Sequence, residues 1–284
     1  MAIIKNYLSL IKFSHTVFAL PFAIIGYYLA SSRYGFDWSI LIYVLLCMIF
    51  ARSAAMAFNR YIDRDIDLEN PRTAQVREIP NGTIKPKSAL LFVILNCLAF
   101  ILTTYFINSL CFHLSPIALL VILGYSYTKR FTALCHIILG LGLSLAPLGA
   151  YLAVSAEFAI LPILFSISVL FWVAGFDIIY SLQDDTFDSQ HKLHSIPVAL
   201  GRKNALLMSR FLHLLTASSL LLAGTLFETQ LLYWIGYSIF TLLLAYQHNI
   251  VSEKNLSKVN IAFFTTNGIA SIIFGVFVVL EILI

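Results

Sequence analysis

Apolar residues fall into nine runs, near positions 15–32, 38–58, 88–107, 111–128, 133–153, 158–180, 211–227, 230–247 and 260–282. Each is close to the roughly 20 residues needed to cross a bilayer. Polar and helix-breaking residues punctuate them: Asn81-Gly82, Lys85-Pro86, Asn108-Ser109, Ser155-Ala156-Glu157 and Gly201-Arg202. Lipid offers no partner to an unpaired amide or carbonyl, so spanning segments must be helices or a closed barrel. The runs lack the two-residue alternation of barrel strands, which selects helices. The pattern predicts an all-α polytopic membrane protein with nine transmembrane helices.

Composition strengthens that picture. Hydrophobic residues make up 60% and charged residues 11% of the 284, with a mean hydropathy of +0.89; soluble domains carry about 45–50% and about 25%. A net charge of +4 with no long Lys/Arg run excludes nucleic acid as a partner. The four cysteines, Cys47, Cys97, Cys111 and Cys135, lie in or beside apolar runs without disulfide or metal spacing, and read as packing residues. The first 35 residues resemble a signal peptide, but no small-x-small cleavage pattern precedes Arg33, so they read as a retained first span.

Basic residues set the orientation. With the N-terminus cytoplasmic, that side collects Lys5, Lys12, Arg60, Arg64, Arg72, Arg77, Lys85, Lys87, Lys129, Arg130, Lys192, Arg202, Lys203, Arg210, Lys254 and Lys258. The opposite side holds Arg33 alone, and Arg52 lies inside a span. Acidic residues are equally uneven: of the 14, five fall between Asp63 and Glu78 and four between Asp177 and Asp188. Both stretches sit at predicted cytoplasmic ends of spans, half a molecule apart.

In the first cluster Asn59, Asp63 and Asp67 recur every four residues, which on a helix lines three oxygen-bearing side chains along one face. Arg52 lies two turns earlier on nearly the same face. In the second, Asp177, Tyr180 or Ser181, Asp184 and Asp188 again share a face, whereas Asp65, Glu69 and Asp185 fall off it and read as solvated charges. Carboxylates four apart repel, so each cluster calls for cations. An all-oxygen set suits a hard ion, Mg²⁺ before Ca²⁺, held by one or two carboxylates plus substrate phosphates. Two such half-sites collared by Arg and Lys suggest a diphosphate clamp.

These motifs resemble the UbiA superfamily of intramembrane prenyltransferases. Its N-x-x-x-D-x-x-x-D element is matched by Asn59, Asp63 and Asp67, and its D-x-x-Y-x-x-x-D-x-x-x-D element by Asp177, Tyr180, Asp184 and Asp188. A Y-x-x-x-K element is matched by Tyr125 and Lys129. The resemblance covers the whole chain. It implies a single domain over 1–284, bundled around a central cavity, with motif loops near 59–87 and 177–204 facing the cytoplasm from a bacterial inner membrane.

It also implies a reaction: transfer of a polyprenyl chain from an allylic diphosphate to an aromatic acceptor. By similarity, Asn59 and Asp63 would hold one Mg²⁺ and Asp184 and Asp188 a second, with Asp67 and Asp177 supporting the ions or the substrate. Arg64, Arg72 and Lys129 would grip diphosphate oxygens, Tyr125 and Tyr180 would hydrogen-bond it, and Asp63 or Asp67 would remove the ring proton. Arg52, as an intramembrane charge, would bind diphosphate or an acceptor carboxylate. His15 would touch the acceptor or serve the bundle; His136 and His248 read as structural, and Asn260 and Asn267 as bonding neighbouring helices.

The Asn59-Arg60 pair, the Asn70-Pro71-Arg72-Thr73 run and Ser14-His15-Thr16 look most like bacterial proteins grouped with 4-hydroxybenzoate polyprenyltransferases. A dihydroxynaphthoate on a menaquinone route is the alternative acceptor, since both are planar aromatic carboxylates. A secondary transporter also combines many spans with two acidic clusters, but its site would lie near the bilayer midplane and need no phosphate collar.

Overall fold

Helix starts fall where the sequence supplies caps. Asp37 opens the helix Trp38–Ile62, its carboxylate accepting from the amides of Ser39 (2.7 Å) and Ile40. Asn108 caps Ser109–Thr128 through the Cys111 amide at 2.8 Å, while its own amide donates to the Leu152 carbonyl at 2.9 Å. Such caps satisfy first-turn amides that the helix leaves without partners. Pro86 starts Pro86–Ile107, a position where the missing N–H costs nothing.

The computed structural model describes residues 2–12, 18–227 and 229–284. Its helices in chain order are α1 (Ala2–Leu10), α2 (Leu20–Tyr34), α3 (Trp38–Ile62), α4 (Arg64–Glu69), α5 (Pro86–Ile107), α6 (Ser109–Thr128), α7 (Cys135–Ser155), α8 (Ile160–Ser181), α9 (Asp185–Gln190), α10 (Ile196–Leu226), α11 (Leu231–Ile250) and α12 (Asn267–Leu283), the last entered through a π-helical turn, Ile261–Thr266. Among the described residues there is no β-strand, only an isolated bridge between Ser252 and Asn255.

Among the described residues seven helical segments are long and apolar enough to cross a membrane: α3, α5, α6, α7, α8, α10 and the continuous run Ile261–Leu283. The span expected near 230–247 coincides with α11, and that near 15–32 overlaps α2 from Leu20 on, its positions 15–17 lying outside the described residues; both helices fall outside that set. α2 has 15 residues, about 22 Å of rise against a core of about 30 Å; α11 ends on the polar Gln247-His248-Asn249. The span expected at 211–227 starts too late, because α10 is two helices joined at a kink at Gly201 and its second part already runs from there to Leu226. Its first turns are amphipathic and escaped an apolar-run criterion. Gly201, read as a break, does interrupt it, with φ +74° inside the helix.

α8 is the central helix, packed between α7 and α10, with Phe165, Val169, Trp172 and Val173 fully buried. Close approach depends on two glycines. A Cβ on Gly26 would lie 2.0 Å from the Pro147 carbonyl oxygen, and one on Gly140 2.3 Å from that of Leu170, so α2 and α8 can settle against α7 only where no side chain intervenes. On its other side α8 is bonded through its backbone: Ser209 Oγ donates to the Gly175 carbonyl at 2.6 Å, and His213 Nε2 lies 3.2 Å from that of Trp172.

Candidate active site

Both acidic segments are built alike. α3 stops at Ile62, Asp63 forms the joint, and the six-residue α4 follows; α8 stops at Ser181, and Asp184 leads into the six-residue α9. In each joint the Asp carbonyl accepts from the amide of the Asp four residues on, at 2.7 Å in both. The expectation that each set of acids rides one continuous helix is therefore corrected: each rides two helices meeting at an Asp. Carboxylates four apart disfavour a straight helix, and the bend carries the downstream acid inward. Side-chain exposure is 13% for Asp63 and Asp184, falling to 5% for Asp67 and 0% for Asp188.

Four cations answer these acids. Arg72 forks onto Asp184, its Nε 2.9 Å from Oδ1 and its Nη2 on Oδ2, while its Nη1 donates to the Tyr180 hydroxyl at 3.2 Å. Asn70 adds a bond to Asp184 Oδ1 at 3.2 Å. The loop after the first motif thus clasps the second, 112 residues away. Arg77 pairs with Asp67, Lys129 Nζ lies 2.8 Å from Asp188 Oδ1, and Arg130 holds Asp65 at 2.8 Å and the Ile62 carbonyl at 2.7 Å, with Asp63 4.0 Å away.

Burial pushes the Asp63 carboxyl up to about 6; the charge of Asp67 adds to it, while Lys129, Arg77 and Arg130 pull the other way. Burial likewise raises Asp188, against Lys129. Asp184 is buried too, but its hydrogen bonds and charge contact with Arg72 outweigh that and hold it below the usual carboxylate range, with Asn70 and Lys129 adding to the effect. Lys129 is therefore felt by carboxylates of both clusters.

Other expected residues are placed less uniformly. Tyr125 lies near Arg52, Arg60 and Asp63. Nε of Arg52 and Nε of Arg60 are buried without a hydrogen-bond partner. Arg64 stays out of the cluster: its guanidinium donates to the Tyr61 carbonyl at 2.5 Å and stacks 4.5 Å from the Tyr61 ring. Asp177 accepts from His136 Nδ1 at 2.7 Å, and His136 Nε2 takes the Ile196 amide at 3.3 Å, so this histidine joins α8 to the start of α10. Asp65 and Glu69 are exposed as expected, whereas Asp185 is largely covered and forked by Arg202 at 2.5 and 2.9 Å. His15 lies outside the described residues.

Sequence reasoning passed over Asn70, Arg77 and Arg130 as individual site residues. All three sit within 11 residues of an acidic motif or directly after Lys129, so a search for cations flanking the motifs would have found Arg77 and Arg130, and one for side-chain donors would have found Asn70.

Among the described residues no group of three or more His, Cys, Asp or Glu is arranged to hold a metal ion by itself. The donors nonetheless suit a hard cation completed by phosphate. Asp63 Oδ1, Asp67 Oδ2 and Asp188 Oδ2 are buried with no hydrogen-bond partner, while Lys129 Nζ answers Asp188 Oδ1 at 2.8 Å. Asn59 Nδ2 donates to Asp63 Oδ2 at 2.9 Å, which leaves the Asn59 oxygen free to join Asp63 Oδ1. Buried carboxylate oxygens without partners are costly, and oxygen-only sets of this type fit Mg²⁺.

Residues 19–269 match the UbiA prenyltransferase family. The chain belongs to that family. Among its relatives, 4-hydroxybenzoate octaprenyltransferase of Aeromonas hydrophila is 30% identical over 239 residues, 84% of this chain and 82% of that one. The Aliivibrio fischeri protein of the same name is 30% identical over 242 residues, 84% and 83% of the two chains. Among solved structures, the apo UbiA homolog from Aeropyrum pernix K1 superposes with a TM-score of 0.85 at 30% identity, covering 94% of this chain and 98% of that one. A UbiA homolog from Archaeoglobus fulgidus bound to GPP and Mg²⁺ shares the fold, with a TM-score of 0.76 at 21% identity over 98% and 100% of the two chains.

Proposed function

We propose that this UbiA-family chain is a Mg²⁺-dependent prenyltransferase that moves a polyprenyl group from an allylic diphosphate to 4-hydroxybenzoate in respiratory quinone synthesis. The observation that carries the reading is the clasp of Arg72 and Asn70 on Asp184, which draws the two acidic joints and their cations toward one anion-binding mouth. Support for the acceptor comes from the relatives named 4-hydroxybenzoate octaprenyltransferases and from Arg52, whose buried Nε awaits a partner such as an aromatic carboxylate. The membrane arrangement we favour has nine helices over 1–284, counting α2 and α11. It has a cytoplasmic N-terminus in a bacterial inner membrane and a cavity opening beside the two joints.

In this reading Asn59 and Asp63 hold one ion and Asp184 and Asp188 a second. The ions, when bound, neutralise charge on the departing diphosphate. Arg72 and Lys129 exchange their carboxylate partners for diphosphate oxygens, Arg72 through its fork, while the Tyr180 and Tyr125 hydroxyls orient the group. The C1–O bond breaks with its electron pair leaving on diphosphate, a ring carbon of the acceptor bonds to C1, and the ring proton passes to a carboxylate. Asp67 and Asp177, held by Arg77 and His136, support that set. Arg64, turned onto Tyr61, is left out of it.

The test is transfer in membranes holding the chain, Mg²⁺ and a labelled polyprenyl diphosphate, with 4-hydroxybenzoate or a dihydroxynaphthoate in parallel. Label on 4-hydroxybenzoate is the expected result; label on the naphthoate alone would reassign the acceptor. A donor left intact with both, beside an active reference prenyltransferase, would overturn the enzyme reading.

A further inference from the structure

The last transmembrane run begins with the π-helical turn Ile261–Thr266, and a buried amide holds it in shape. Asn267 is fully buried; its Nδ2 donates to the Ala262 carbonyl at 2.9 Å and the Phe263 carbonyl at 3.1 Å, both within that turn. Its Oδ1 accepts from Trp172 Nε1 at 2.8 Å, and Gln247 faces it at 3.4–3.5 Å. Trp172 and Gln247 are also fully buried, so one amide joins α8, α11 and α12. An apolar side chain of similar size would fill the space but leave the buried Trp172 N–H and Gln247 amide without this partner and release the two turn carbonyls. Wide turns of this kind concentrate at functional sites.

The turn has a consequence at the mouth. It lays the ring of Phe263 on that of Tyr180, centroids 4.2 Å apart and planes inclined by 30°. Phe176 stands edge-on to Phe263 at 5.2 Å, and Phe18 lies 5.7 Å from both. At its other end Tyr180 meets Arg72 through its hydroxyl, with the guanidinium 5.6 Å from the ring centre. A continuous aromatic surface therefore runs from the Arg72–Asp184 fork into the apolar core.

We propose that Asn267 is a positioning residue: by fixing the π turn it holds the Phe263–Tyr180 stack as a dry wall where the allylic cation forms. This rests on the prenyl-transfer reading. When the C1–O bond breaks, the cation has two fates. A ring carbon of the acceptor captures it with loss of a ring proton to base, or water captures it, forming a C–O bond and losing a proton to give prenyl alcohol. Ring faces attract the cation, and a closed wall removes the water.

The experiment measures, with full-length purified protein in lipid, how consumed donor divides between prenylated acceptor and prenyl alcohol. Asn267→Leu is expected to raise the alcohol share about fivefold and lower kcat for transfer, leaving KM for the donor little changed. If Asn267→Leu does not fold, Trp172→Phe, which removes the N–H that locks Asn267 together with part of a buried ring packed on Phe176, and Phe263→Leu, which removes the wall itself, should shift the partition the same way. Leu220→Ala serves as the control, a fully buried α10 residue in the same core, and should lower Tm while keeping the wild-type partition. Variants that transfer with the wild-type partition, or a control that shifts it equally, would overturn the role of Asn267. A wild-type protein that consumes no donor would instead overturn the transferase reading itself.

Discussion

The two acidic joints share one backbone plan and differ in what their carboxylates touch. At the first, the Asp63 carboxylate keeps one buried oxygen bare and accepts on the other from Asn59. At the second, Asp184 is saturated by the Arg72 fork and Asn70. The inner acids differ as well: Asp67 is held by Arg77, ten residues on in the same loop region, whereas Asp188 meets Lys129 from the distant end of α6. In the proposed reading the first joint offers Asp63 Oδ1 directly, whereas Asp184 becomes available only when Arg72 lets go. In a diphosphate enzyme that asymmetry has a use, because an arriving diphosphate offers Arg72 a better anion and frees Asp184 for metal in the same move.

The largest effects should come from breaking either joint outright. Asp63→Ala and Asp184→Ala should each lower transfer by at least about a thousandfold, since in the proposed reading each would remove a metal ligand and a charge that the reacting diphosphate depends on. Both proteins should stay inserted and folded, as read by size-exclusion profile and Tm. Equal, near-wild-type activity in either purified variant would end the two-joint description.

Arg72→Ala tests the asymmetry. Losing a charged fork should cost about 10- to 100-fold in kcat/KM for the diphosphate. Without diphosphate the same variant should bind Mg²⁺ more tightly than wild type by titration calorimetry, because Asp184 no longer has a competing cation. An unchanged or weaker Mg²⁺ affinity would mean that the Arg72–Asp184 pair does not gate the second joint.

How much of this was legible beforehand divides along physical lines. The apolar runs placed most of the long helices because lipid permits little else, and Asn59, Asp63, Asp184 and Asp188 stood out by their spacing alone. The α10 start was hidden because Ile196–Arg210 is amphipathic, carrying Arg202, Lys203 and Arg210 within the helix. The helix breaks at Asp63 and Asp184 were also hidden, since a period of four reads the same whether the helix continues or bends. Contacts such as Asn70–Asp184 and His136–Asp177 join residues 114 and 41 apart; no local pattern encodes them. Asn267 was visible as a polar residue in an apolar run, but its partners came only with the packing of three helices.

Arg52 separates acceptor binding from the joints. Arg52→Gln should raise KM for the aromatic carboxylate about 10-fold or more and change KM for the diphosphate far less. If both constants rise together, Arg52 serves the diphosphate, and the acceptor carboxylate needs another anchor.

The smallest effect is a matter of protons. Because burial lifts Asp63 to about 6, its carboxyl is largely neutral below that pH and charged above it, and Mg²⁺ competes only for the charged form. The Mg²⁺ concentration giving half-maximal activity should therefore climb as pH falls through about 6. Asp184, held low by Arg72, keeps its charge over that range, so the proton weakens the first joint while this ligand of the second is spared. Arg72→Ala removes the protection and should move the acid limb of the same titration upward. A limb unmoved in Arg72→Ala would assign it to the first joint alone.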